Sequence, residues 1–538
     1  MITADIMTHY LFRKMELNDD EYVLGIDLGT TNTCAAYYIN GMDLPEVLLY
    51  IQGGRLFESC VEYRDGTVIA GSIAKNHLRS GRSGIVRNAK RVLGQYYADN
   101  TVQKCVEENL CGVEIIERDK KPVFHIGNQY VMPSDVSAKI IKEVVERSRE
   151  VVKERGATKL KKVVITFPAN FNNNQRTATL LAAEKAGIRK EQLKMMNEPS
   201  AAALFYCKKN GINNKTILIY DLGGGTFDVS ILRVEGDNYT VLKYDGDFFL
   251  GGADFDASLA EFIKRKAKDI FGSEIFTNLP ERREKLFKVR LNEIAEEVKK
   301  DLTANDVSYA DLDSFIIQDD DSQKYSVPVE LNDLNNCISK NIDRTMLLVQ
   351  RCLDQCHMTP DDIDRVVLIG GSSRLRMVRS RLTEMFGQKL GKEINPDEAV
   401  AYGACQSLIT NLHLKDRIVY SLGQLLSNNR VQCLLPCQSV IPIKSREIPT
   451  HPVADYVTTI NCAIYQGHAA NPRDIESAND CYLLDEYKIT GFGSNLRSNV
   501  TFLTTFSVDE WGIIHVVDRY KEKDCTLVNM MFRWREPE

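Results

Sequence analysis

Apolar and polar positions along this chain switch between a strand period and a helix period. Residues 23–39, VLGIDLGTTNTCAAYYI, and residues 217–234, ILIYDLGGGTFDVSILRV, share one design. Each is an apolar, β-branched run, then Asp-Leu-Gly with small residues and Thr, then a second apolar run. That pattern predicts a strand, a tight turn and a returning strand, with an acid, Asp27 or Asp221, at the bend. Between them, residues 134–155 carry helical periodicity with Ser134 as the predicted N-cap. The segment KKVVITFPANFNNNQRTATLLAAEKAG then reads as buried strand, proline turn, Asn-rich cap and helix. After the second hairpin the order repeats. Helices are predicted over 254–271 and 279–303, and RVVLIGGSSRLRMVRSRL (365–382) reads as strand, glycine turn and helix. A duplicated hairpin and α/β unit implies two similar lobes with a cleft between them.

The pattern changes near residue 410. Beyond it, NCAIYQG, YKITGFG and NVTFLTTFSVDEWGIIHVVD alternate in period two between turn signals, which predicts a separate antiparallel β domain. The expected organisation is an N-terminal extension (1–21), a two-lobed α/β domain (22–411), a linker (412–423) and an all-β sandwich (424–538). A chain of 538 residues is too long for one core. Its 68 basic and 74 acidic residues give a net charge of −6, so no basic field favours nucleic acid or a membrane surface. No apolar run approaches the ~18 residues of a membrane span. Residues 1–21 contain no apolar core of a secretory signal and are expected to be loose. Fourteen cysteines without a framework fit a reducing, cytoplasmic setting. Cys352/Cys356, followed by His357, and Cys433/Cys437 share a Cys-x3-Cys spacing, but no second ligand pair follows the first, and these thiols read as small hydrophobes.

A phosphate chain needs several backbone N–H groups converging on it, and only small residues let the main chain come that close. Gly29, Thr30, Thr31 and Asn32 form the first such turn; Gly223, Gly224, Gly225 and Thr226 form the second. Two turns of this kind suggest facing half-sites around one nucleotide. A strand-end carboxylate buried without a partner is costly, so Asp27 and Asp221 call for a cation or bound water. Mg²⁺, which keeps most of its waters and uses one or two carboxylates plus phosphates, suits them, with Asp228 as a third acid. Glu198, in MMNEPSAAA, either orients an attacking water or supports the helix start electrostatically. Gly370, Gly371, Ser372, Ser373 and Arg374 follow an apolar strand. That turn admits close backbone approach to a ligand, and Arg374 can stack on a purine.

These residues resemble the heat-shock protein 70 chaperones, within the actin and sugar-kinase superfamily. GIDLGTTN, the AKRVLG segment, VVITFPANFNNNQRTAT, NEPSAAA, DLGGGTFDVSIL, FLGGADFD, IGGSSRL and INPDEAVAYGA occur in that family's order. A weaker match continues through SVIPIKSREIPT, INCAIYQG and VDEWGIIHVVD. The resemblance implies an α/β fold, a two-lobed actin-like ATPase domain of duplicated ribonuclease-H-like units, followed by a peptide-binding β-sandwich. It implies ATP/ADP, Mg²⁺ and K⁺ as cofactors and ATP-dependent chaperone activity. By motif, Lys90 contacts the γ-phosphate and attacking water, and Thr226 and Thr30 hold the γ-phosphate. Asp27, Asp221, Glu198 and Asp228 position the cations and water. Glu296, Lys299, Lys300 and Thr303 sandwich the adenosine with Ser372 and Arg374, and Asp397 completes that pocket. Pro168 acts as a switch reporting nucleotide state.

The implied partners are unfolded or extended polypeptides, a J-domain co-chaperone and a nucleotide-exchange factor, with no nucleic acid and no membrane. Several positions depart from the family pattern. Asn32 stands where cytosolic members have Tyr, Asn170 replaces a Tyr, Ala253 replaces an acid, and Lys194 replaces an Arg that contributes to J-domain docking. Lys415 and Arg417 interrupt the expected leucine run of the linker, and no counterpart of the helical lid or acidic tail follows the sandwich. An alternative function is a nucleotide-dependent regulatory protein that hydrolyses little ATP. The divergence at Lys194, Ala253 and the linker supports it, and the intact Lys90, Thr226 and Glu198 oppose it.

Overall fold

The computed structural model describes residues 11–12, 14–50, 53–276, 281–313, 324–391, 394–426, 428–471 and 474–537. Both hairpins form as the patterning predicts. Strand Glu21–Asp27 pairs antiparallel with Asn32–Ile39 and parallel with Lys159–Phe167, which is parallel to Leu193–Asn197. Strand Lys215–Leu222 pairs antiparallel with Phe227–Glu235 and parallel with Arg365–Ile369. The two sheets are therefore built alike, and each has its own apolar core. In the first lobe, helix Pro133–Lys153 starts one residue earlier than predicted. Ser134 is not its cap: Asp135 accepts the Met132 N–H at 3.0 Å, and Pro133 opens the first turn.

A third core lies between the sheets. Its centre is two helices, Glu198–Asn210 and Ala399–Gln406, rich in Ala, the second carrying Gly403. A Cβ on Gly403 would fall on the Ala201 carbonyl, and one on Gly25 would fall on the backbone of Cys405. Only small side chains let these helices cross so tightly against the strand. The lobes are thereby joined along their base, which leaves a cleft above.

The β domain is a sandwich of two five-stranded antiparallel sheets. Phe492, Phe502, Phe506 and Val516 fill its interior. Residues 412–423, expected to be a linker, are divided. Leu412–Arg417 add a strand to the second lobe's sheet, parallel to Asn238–Asp247 and flanked on its other side by Leu11–Phe12 and Val440–Ile441, and Ser421–Leu425 already belong to the sandwich. Asp416 anchors this strand. It accepts Asn197 Nδ2 at 2.5 Å, the Tyr244 hydroxyl and the Arg417 N–H, while Arg417 reaches the Val241 and Gln438 carbonyls. The departures at Lys415 and Arg417 therefore coexist with a docked linker.

The described part of the N-terminal extension is not loose. Leu11–Phe12 pair with Leu412–His413, the Met15 N–H bonds the Leu408 carbonyl at 3.1 Å, and Met15 and Leu17 pack on the central layer. The cysteines are free thiols, and among the described residues no three acidic, His or Cys side chains converge as a metal-holding group.

Gly403→Ala should destabilise the two-lobed domain by about 1–3 kcal/mol, the usual cost of overpacking. Denaturant melts would show a lower midpoint; an unshifted midpoint would mean that the helices do not cross at this distance.

Candidate active site

The two glycine turns meet across the cleft. A Cβ on Gly224 would collide with the Thr31 hydroxyl, and one on Gly225 would lie 3.2 Å from Thr30 Cγ2 and 2.9 Å from Arg91 Nη2. At Gly224 the opposite turn leaves no room for a side chain, and at Gly225 the space is tight. A cleft of about 530 Å³ opens beside them. It is lined by Asp27, Gly29, Thr30, Thr31, Asn32, Lys90, Glu198, Asp221, Gly223, Gly224, Gly225 and Thr226 at the turns. Its far side carries Glu296, Lys299, Lys300, Thr303, Gly370, Gly371, Ser372, Arg374 and Asp397. Residues separated by hundreds of positions thus share one cavity, of a size usual for small-molecule sites.

Two expected residues sit elsewhere. Ser373 points inward, its hydroxyl donating to the Gly370 carbonyl at 2.7 Å, because it closes the turn rather than facing the cleft. Asp228 lies behind the wall, 2 % exposed, directly opposite Asp221 across the hairpin. Paired like charges in adjacent strands repel, and Asp228 Oδ1 is buried without a hydrogen-bond partner.

The acids dominate the electrostatics. Lys90, carried on the short turn Ala89–Arg91 after Asn88 in left-handed conformation, donates to Glu198 Oε1 at 2.8 Å. It is the ammonium opposing Asp27, Asp221 and Asp228. Burial, and then the Glu198 charge, raise Asp27 to about 7, Lys90 only partly offsetting them. Burial and the neighbouring carboxylates hold Asp221 and Asp228 well above the ordinary range. A set of acids this short of positive charge fits a divalent cation. As no three converge tightly enough to chelate one alone, it fits an ion that keeps its waters and shares phosphate ligands.

The far wall holds its own ion pairs. Lys299 binds Asp256 at 2.7 Å, yet burial still lifts Asp256 to about 6. Arg374 is held by Asp397 at 2.8 Å and by Asn395 at 2.7 Å, which sets its guanidinium as one wall of the pocket. Burial pushes Glu296 up, but the Lys75, Lys300 and Lys299 ammoniums outweigh it and bring it below the usual range. No sequence motif by itself marks Lys75, Arg91 or Asp256 as part of the site. Arg91 adjoins Lys90 in AKRVLG and Asp256 ends FLGGADFD, so only their neighbours signalled them; nothing in its local pattern marks Lys75.

Pro168 and Phe171 border a small adjoining cavity with Lys90, Thr30 and Thr226. Arg176, from helix Asn173–Lys185, donates to the Ala169 and Phe171 carbonyls at 3.2 and 2.9 Å and to the Trp511 carbonyl of the β domain at 2.9 Å. The proline segment beside the cleft is therefore wired to the sandwich.

A family model described as Hsp70 protein matches residues 23–529. A ribosome-associated molecular chaperone of Saccharomyces cerevisiae is 32% identical over 540 residues, covering 96% of this chain and 83% of that protein. The chaperone protein DnaK of Buchnera aphidicola is 30% identical over 513 residues, 93% and 77% respectively. The heat shock cognate HSP70 protein of Trypanosoma brucei brucei is 32% identical over 515 residues, 92% and 73%.

An acid whose pKa is raised on folding keeps its proton longer in the fold than in the unfolded chain, so stability falls as pH rises between the two values. For Asp27 that window runs from about 4 to about 7. Asp27→Asn, without nucleotide, should therefore melt higher than the parent at pH 8 and no higher at pH 4. Equal melting at both pH values would contradict the buried charge.

Proposed function

The chain belongs to the heat-shock protein 70 family, and on that premise we propose that it is an ATP-dependent chaperone in which nucleotide held between the lobes controls how the β sandwich holds unfolded polypeptide. The observation that carries this reading is the pair of glycine turns facing one cleft whose acids outnumber its cations.

In this reading the backbone of Gly29–Asn32 and Gly223–Thr226 cradles the phosphates. Glu296, Lys299, Lys300, Thr303, Ser372, Arg374 and Asp397 enclose the adenosine. Mg²⁺ supplies neutralisation of phosphate charge, and Asp27 and Asp221 would hold its hydration shell with Asp228 behind them; K⁺ would occupy the same acidic region. Lys90 and Thr226 stabilise charge developing on the γ-phosphoryl oxygens, and Glu198 both fixes Lys90 and orients water. Little acid–base chemistry is available, so turnover is slow and depends on positioning.

Hydrolysis alters lobe geometry, and the contacts of Arg176 and Asp416 carry that change to the sandwich. An extended peptide then binds by strand addition. A J-domain protein and an exchange factor complete the cycle, with Lys194 changing the docking surface of the former. A cytoplasmic setting belongs to the same proposal, supported by the free thiols. Among the described residues no helix is long and apolar enough to cross a membrane.

Single-turnover hydrolysis tests the roles. Thr226→Val and Lys90→Ala should each retain nucleotide binding while losing at least ~10-fold in rate, the scale of removing one preorganised donor. Wild-type rates in both variants would remove these residues from the chemistry.

A further inference from the structure

Strand Cys525–Met531 completes the sandwich, and the chain after it crosses to the first lobe. Phe532 still belongs to the sandwich core, while its carbonyl accepts Asn173 Nδ2 at 3.1 Å. Two residues later Trp534, 8 % exposed, is buried against the first lobe with Leu93, Ala178, Tyr96 and Leu181. Its backbone N–H donates to Thr177 Oγ1 at 2.9 Å. The indole meets the Tyr96 ring edge-on at 5.5 Å, and the Lys121 ammonium lies 4.7 Å from its ring centre. Arg533 reaches both Glu184 oxygens at 2.6 Å, and Glu536 accepts Lys185 at 2.5 Å.

The socket is made of segments that also serve the cleft. Leu93 and Tyr96 lie just past Lys90, and Thr177, Ala178 and Leu181 sit on the helix that follows Pro168 and carries Arg176. A buried aromatic with an edge-on ring partner and a cation on its face is the kind of contact that dominates an interface. The Arg533–Glu184 pair is partly exposed and contributes less on its own, with the single nitrogen Nη2 lying 2.6 Å from both carboxylate oxygens.

We propose that residues Arg533–Glu536 form a latch. Trp534 seated in the first lobe holds the β domain against the ATPase domain, and its withdrawal frees both the sandwich and the segment that carries Lys90. Latch occupancy thus sets the fraction of molecules with a docked β domain, independently of whether nucleotide is turned over.

The test uses the full chain without nucleotide, so its outcome is separate from that of the hydrolysis assays. Trp534→Ala should raise trypsin cleavage in the linker, after Lys415 or Arg417, about tenfold or more, and enlarge the molecule in small-angle X-ray scattering. Trp534→Phe should restore part of the protection. Arg533→Glu should loosen docking, and adding Glu184→Arg should restore it by reversing the pair. Parental cleavage and dimensions in a folded Trp534→Ala protein would overturn the latch. If that variant fails to fold, no rescue of Arg533→Glu by Glu184→Arg would overturn it equally.

Discussion

The two glycine turns can face one another only if the layer beneath them is thin. The crossing of helices Glu198–Asn210 and Ala399–Gln406 supplies that thinness. Gly25, Gly403 and the alanines around them are small because the partner backbone occupies the space a side chain would need. One helix of this layer begins with Glu198, and the strand packed against the other ends with Asp27. Packing at the base and chemistry in the cleft are therefore set by the same few segments.

The cost of that arrangement appears as charge. Bringing the two hairpins together also brings together their bend acids, and Asp228 is stacked opposite Asp221 on the same hairpin. Burial and mutual repulsion raise these groups, and one lysine, already engaged by Glu198, does not balance them. Such a set of buried acids is unfavourable by itself. In the proposed function that cost is offset by the cation and phosphates the cleft takes up.

The hairpins, the repeat of strand-then-helix order, the Gly370 turn and the change to an all-β pattern were legible because each is a local pattern. The convergence of the turns was legible only through their duplication. What the sequence concealed was non-local. Period two in LHLKDR does not say which sheet Leu412–Arg417 will extend, nor that Leu11–Phe12 will pair with it. Ser373 and Ser372 are adjacent and alike, yet one closes the turn while the other faces the cleft with its hydroxyl on the Gly223 carbonyl. Asp228 reads as a third acid for the cation, and only the hairpin register places it behind Asp221. Trp534 has no periodic context at all; its meaning lies in the first lobe.

Calorimetric titration of the full chain with ADP, in the presence of magnesium and then of a chelator, tests the central claim most directly. One site per chain is predicted, with affinity falling at least tenfold (about 1.4 kcal/mol) when magnesium is removed. No binding, or binding indifferent to magnesium, would contradict a cleft built by two acidic hairpins closing on one metal-bearing nucleotide.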